Sequence, residues 1–231
     1  MSAAFQNFGS GNVVALGQNI EVTGYVNGHN NQVVIEDAEF NTQLRILVQG
    51  NHNRIHIGKN SEIKGLTICC GNHVKAHNVE IDIGDEFTIE HGGRFFLYNS
   101  GNVLKIGSQC MFSNNITIRC GESPHLLFHK DSGAYLDVSE GVFIGNHVWV
   151  GESAYITKAV TIGDECVVGA CSVVTKRFDI SHAALAGNPA RVVRQDVQWI
   201  RNPGCFEEAS IYKDAYLAHI EAHSAACAEP L

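Results

Sequence analysis

Twelve histidines and eight cysteines are the side chains of this 231-residue chain best suited to acting as base, nucleophile or metal ligand near neutral pH. Two of the histidines, His125 and His129, fall in the stretch Cys120-Gly-Glu-Ser-Pro-His125-Leu-Leu-Phe-His129-Lys-Asp131-Ser-Gly133. An imidazole titrates near pH 6.5 and can take a proton from a hydroxyl at neutral pH. Their spacing of four residues superficially suits two metal ligands as well. The cysteines lack paired metal-type spacing apart from the adjacent Cys69-Cys70, and they read as free thiols in a reducing compartment. His52, His56, His73, His77 and His147 fall in corner-like stretches, where a solvated structural role is the simpler reading.

The elements that must carry these residues repeat every six positions. From Ile144 the series runs Val150, Ile156, Ile162, Val168 and Val174, and one step back gives Val138. Shorter series run Ile106, Phe112, Ile118, then Ile83, Ile89, then Ile57, Ile63. Glycine often follows the aliphatic residue, as at Gly58, Gly84, Gly107, Gly145, Gly151, Gly163 and Gly169. Four places after the aliphatic a small residue recurs: Ser61, Thr67, Cys110, Ala154, Cys166 and Ser172. A helix would repeat its apolar face every 3.6 residues and a strand every second residue, so neither explains a period of six. The period predicts short strands separated by corners, three to a triangular coil, with coils stacked as parallel strands. In this frame Trp149 points outward between Val148 and Val150.

The N-terminal half is less regular. Gly11-Asn12, Gly28-His29, Gly50-Asn51, Gly71-Asn72 and Gly101-Asn102 mark further coils with degenerate corners. Residues 119–137 interrupt the repeat and are expected to project as a loop. The expected organisation is a β-helix over 1–190 and a C-terminal tail over 191–231. The tail should be helical over 206–226, where it could cap the open edge of the last coil. A net charge of −8 argues against general nucleic-acid binding. No apolar run long enough to span a bilayer occurs, so no membrane insertion is expected. The start, Met1 to Gln6, lacks a basic region followed by an apolar stretch, which suggests a cytoplasmic protein.

Four segments carry a resemblance: Ile144-Gly-Asn-His-Val-Trp-Val-Gly151, Val160-Thr-Ile-Gly163, Val168-Gly-Ala-Cys-Ser-Val-Val-Thr-Lys176 and Ala186-Gly-Asn-Pro-Ala-Arg-Val-Val-Arg194. Together they resemble the hexapeptide-repeat acetyltransferases, and within that family the sugar and polysaccharide O-acetyltransferases, capsule-modifying enzymes included. The match covers about residues 106–200. It implies an all-β, single-stranded left-handed parallel β-helix and a homotrimer with active sites between subunits. It also implies acetyl transfer from acetyl-CoA to a sugar hydroxyl with no metal required. The acceptor would be a polysaccharide of capsule or O-antigen type, with sialic acid-containing polymers among the candidates.

The resemblance also suggests roles. In similar capsule enzymes the catalytic histidine lies in the interrupting loop, 24 residues before the tryptophan, and here His125 precedes Trp149 by 24. His125 is therefore the expected base, with His129 a competing candidate. Trp149 would line the acceptor and thioester site, and Asn115 would contact the acceptor. The pantetheine arm would run past Gly151 and Ala170, while Lys176, Arg191 and Arg194 would meet the phosphates. Glu152 departs from the small or basic residue of many relatives, which leaves a backbone N–H as the default oxyanion donor. Three other readings compete: an amino-sugar N-acetyltransferase, a non-catalytic β-helix scaffold, and a γ-type carbonic anhydrase with histidines on zinc. Acceptor screening, acetyl-CoA turnover and metal analysis separate them.

Overall fold

The period of six is built as a three-faced parallel β-helix. The computed structural model describes residues 5–138, 140–208 and 210–226. One compact unit runs to Val197 and a second begins at Gln198. In the first unit one face has eight strands and the other two have seven each. Strands pair in parallel throughout, except that Ala184–Gly187 and Ala190–Arg194 close the third face as an antiparallel hairpin.

The register follows the sequence period. On the second face Ile57, Ile83, Ile106, Ile144 and Ile162 stack in one column. On the third face Ile63, Ile89, Phe112, Val150 and Val168 stack likewise. All ten are buried and belong to one continuous core. Each coil therefore hides its apolar side only against its neighbours, the logic of a solenoid. Ser61, Cys110, Ala154, Cys166 and Ser172 fit beneath the corners as the repeat requires, all buried. Thr67 does not: it lies outward on the first face, because the strand Leu66–Cys70 follows Ile63 too closely to leave a six-residue step. Val138 is also outside the repeat, 72% exposed at the end of the loop, and the coil resumes only at Val142.

The Gly-Asn and Gly-His pairs are corners. Gly28 and Gly50 have φ of 149° and 145°, and a Cβ on either would lie 1.8 Å from a carbonyl oxygen of the next coil. Asparagines line this edge as a ladder. Asn31 Nδ2 donates to Asn12 Oδ1 at 3.0 Å, and Asn53 Nδ2 to Asn31 Oδ1 at 3.0 Å. In the second unit the helix spans Ile211–Ala226, so Phe206-Glu207-Glu208 precede it rather than begin it. A single 3-10 turn, Pro203–Cys205, stands before it, capped by the Asn202 side chain. Among the described residues no helix is long and apolar enough to cross a membrane.

Candidate active site

The chain leaves the first face after the strand Thr117–Arg119 and rejoins the second at Val142–Ile144. The excursion is ordered at its crown and at its root. At the crown Phe128 bridges Tyr135 in antiparallel fashion, with His129 N donating to Ala134 O and Leu136 N to Leu127 O, both at 2.8 Å. His129 Nδ1 accepts from the backbone N–H groups of Asp131 and Ser132 at 3.3 Å each, so its ring shapes the hairpin turn. His125 lies on the ascending limb, exposed, with its backbone N donating to Glu122 O at 3.1 Å. Among the described residues its imidazole makes no hydrogen bond, which leaves both ring nitrogens available to a substrate.

The root is held by a carboxylate that sequence reasoning passed over. Asp137 is 4% exposed. It accepts from Asn99 Nδ2 at 2.6 Å, from Glu122 N at 2.8 Å and from the Lys158 ammonium. Burial pushes its carboxyl up, but the Lys158 ammonium and the two N–H donors outweigh that and hold it below the usual carboxylate range. Asn99 also accepts from Ser123 N at 3.1 Å, and Arg119 reaches the carbonyls of Glu122 and Ser123. Both limbs of the loop thus tie to one polar cluster on the coil. The signal available in the sequence was an acid between two apolar residues, Leu136 and Val138, within an otherwise exposed stretch.

The other expected residues lie on the coils. Trp149 is on the third face, outward and 36% exposed, between Met111 and Val167, and its indole N–H reaches Ser113 Oγ at 3.4 Å. Asn115 occupies the following corner with φ of 60°, its side chain exposed. Ser113, Asn114 and Asn115 therefore turn the chain from the tryptophan's face onto the first face. Gly151 lies beneath the next corner, where a Cβ would come 2.7 Å from the Ala170 backbone nitrogen. Ala170 is exposed, and Glu152 is exposed beside it. Lys176 places its ammonium 5.2 Å over the Phe178 ring. Arg191 and Arg194 are exposed on the closing hairpin of the third face, opposite Ala186 and Ala184. Lys176 follows the last strand of the first face, so these three cations come from two faces. His147 fills a corner at φ of 49° and pairs with Glu165 at 2.6 Å, the structural role expected of it. His56 differs from expectation: it lies on a strand, not a corner, between Asp82 at 2.8 Å and Glu36 at 3.2 Å.

Comparison with known proteins agrees with this architecture. Residues 141–176 match the bacterial transferase hexapeptide (six repeats) family. A polysialic acid O-acetyltransferase of Escherichia coli O1:K1 / APEC is 36% identical over 147 residues, 64% of this chain and 45% of that protein. This chain thus spans under half the length of that relative. The polysialic acid O-acetyltransferase of Neisseria meningitidis is 28% identical over 194 residues, 75% of this chain and 87% of that one. The crystal structure of the polySia-specific acetyltransferase NeuO superposes with a TM-score of 0.78 at 28% identity, covering 95% of this chain and 99% of that one. The protein is a parallel β-helix, similar over residues 141–176 to the hexapeptide transferases and over most of its length to the polysialic acid O-acetyltransferases.

Proposed function

We propose that this protein is an acetyl-CoA-dependent O-acetyltransferase acting on a sugar hydroxyl of a sialic acid-containing polysaccharide. The observation that carries the reading is the superposition on a polySia-specific acetyltransferase across 99% of its chain. In this reading the β-helix, through its closing hairpin to Val197, is catalytic, with 119–137 inserted, and the expected tail begins at Gln198 rather than at 191. His125 takes the proton of the acceptor hydroxyl as that oxygen attacks the thioester carbonyl, and the proton leaves with the CoA thiol. Transfer is direct. Trp149 and Asn115 border the acceptor, Gly151 and Ala170 give the pantetheine arm close approach to the backbone, and Lys176, Arg191 and Arg194 meet the nucleotide phosphates. His125 stands on a loop rooted at the first face while Trp149 stands on the third. A homotrimer that completes each site between two copies accommodates that separation. A reducing cytoplasm suits the buried thiols Cys69 and Cys120, which burial pushes up to about 11 and about 12.

The test is acetyl-CoA consumption against a panel of mono- and polysaccharides with polysialic acid among them, for wild type and His125→Ala. Wild type should acetylate polysialic acid, and the variant should fold normally and lose about 10²–10⁴ in rate. Equal rates remove His125 from the mechanism. A panel in which only an amino-sugar amine is acetylated makes the enzyme an N-acetyltransferase.

A further inference from the structure

A groove of about 530 Å³ crosses the outside of the first face, well upstream of the loop in sequence. Arg45 and Arg94 line it, beside Gly65 and Gly92. The register puts Thr23, Arg45, Thr67 and Arg94 in one outward column, one residue per coil. With strands about 4.8 Å apart, the two arginines stand roughly 9–10 Å from each other along the groove, with Thr67 between them. Both are exposed, and among the described residues neither makes an ion pair or hydrogen bond. The third cation, Lys64, is different: Glu90 at 2.8 Å and Glu62 at 3.4 Å neutralise it. The remaining acid, Glu21, is engaged by Gln43 at 3.2 Å.

Two guanidinium groups with no ion-pair partner among the described residues, in a chain of net charge −8, call for an anionic ligand. The groove also has a direction. Its lining ends at Asn115, the corner that leads through Ser113 to Trp149. We propose that this groove binds a distal stretch of a carboxylate-bearing polysaccharide, Arg45 and Arg94 each taking a carboxylate and delivering the chain past Asn115 to the transfer site. The planar fork of arginine matches a carboxylate with two parallel N–H···O bonds, and the threonine hydroxyls between can meet sugar hydroxyls. The inference rests on the acceptor class proposed above.

The experiment has two arms with one double variant, Arg45→Ala/Arg94→Ala, and its lysine counterpart, Arg45→Lys/Arg94→Lys. In the first arm labelled polysialic acid is titrated onto the full chain, with neutral dextran as control. The alanine variant should bind about tenfold more weakly, a loss of about 1.4 kcal/mol, and the lysine variant should lie between it and wild type. Wild-type binding should weaken as salt rises to about 0.5 M. In the second arm the KM for polysialic acid should rise by about tenfold while the KM for acetyl-CoA moves by less than about twofold. Unchanged polymer binding and unchanged KM in a variant that melts with wild type overturn the groove. If wild type binds polysialic acid but acetylates none, the activity reading falls and the first arm still decides the groove. Absence of any polysialic acid binding by wild type overturns it as well.

Discussion

At the scale of single residues, the proposed base and the group that holds its loop differ in how far the sequence exposes them, for a physical reason. His125 stands out in the sequence as a candidate because its type suits proton transfer, its loop interrupts a strict period, and the family resemblance places a histidine 24 residues before the tryptophan. Asp137 does not, because a sequence shows no burial, and its importance lies in being enclosed among Asn99, Lys158 and the Glu122 N–H. Asp137→Asn removes the charge that Lys158 and these donors favour, and should cost about 1–3 kcal/mol at the loop root. Limited trypsin cleavage at exposed Lys130 is the direct measure, with each 1.4 kcal/mol expected to raise the rate about tenfold. The pH dependence follows from the lowered carboxyl. A group whose pKa falls on folding contributes stability that is fully present above its unfolded value, near 3.9 for aspartate, and is lost as pH falls through the folded value. Wild-type loop protection, followed in acid by amide hydrogen exchange because trypsin does not cleave there, should therefore be flat from neutrality down to about pH 4 and decline below it. The Asp137→Asn variant should show low protection throughout, and a wild-type decline centred near neutrality would disprove the assignment.

At the scale of elements, the strand Val160–Ile162 separates inside from outside within two neighbouring residues. Ile162 is buried in the column of the second face, and Thr161 is half-buried and points outward. Ile162→Asp puts a charge where no partner exists and should cost roughly 4 kcal/mol or more, unravelling adjacent coils. Thr161→Asp should stay within about 1 kcal/mol. Circular dichroism during urea unfolding distinguishes the two, and equal midpoints would contradict the coil register. The same alternation explains what could be read in advance. From Ile144 to Val174 every predicted inward residue is buried, because 18 residues per coil leave no slack. Thr67 and Val138 were misplaced where coils change length: one strand begins early, and one loop ends late. Arg45 and Arg94 look like ordinary exposed alternation in Leu44-Arg45-Ile46 and Gly93-Arg94-Phe95. Only the register, with coils 22 and 27 residues long, brings them into one column.

At the scale of the whole molecule, the projecting hairpin presents more apolar surface than a monomer usually leaves in water. Leu126, Leu127, Phe128, Leu136 and Val138 are 64%, 54%, 51%, 46% and 72% exposed, all on the segment that carries His125. Large apolar side chains exposed together on one short segment suit a contact surface. In the proposed trimer it would pack on a neighbouring copy and bring His125 to that copy's third face. Light scattering of wild type should give the mass of three chains. Leu127→Arg/Phe128→Arg places two charges in that contact and should yield monomers, since a desolvated unpaired charge costs several kcal/mol. Transfer should fall with the trimer fraction, while far-ultraviolet circular dichroism stays at the wild-type value because the hairpin lies outside the coil core. Activity should return as protein concentration is raised if association is only weakened. A monomeric variant with full specific activity would show that one chain completes its own site, and would return His125 and Trp149 to a single coil.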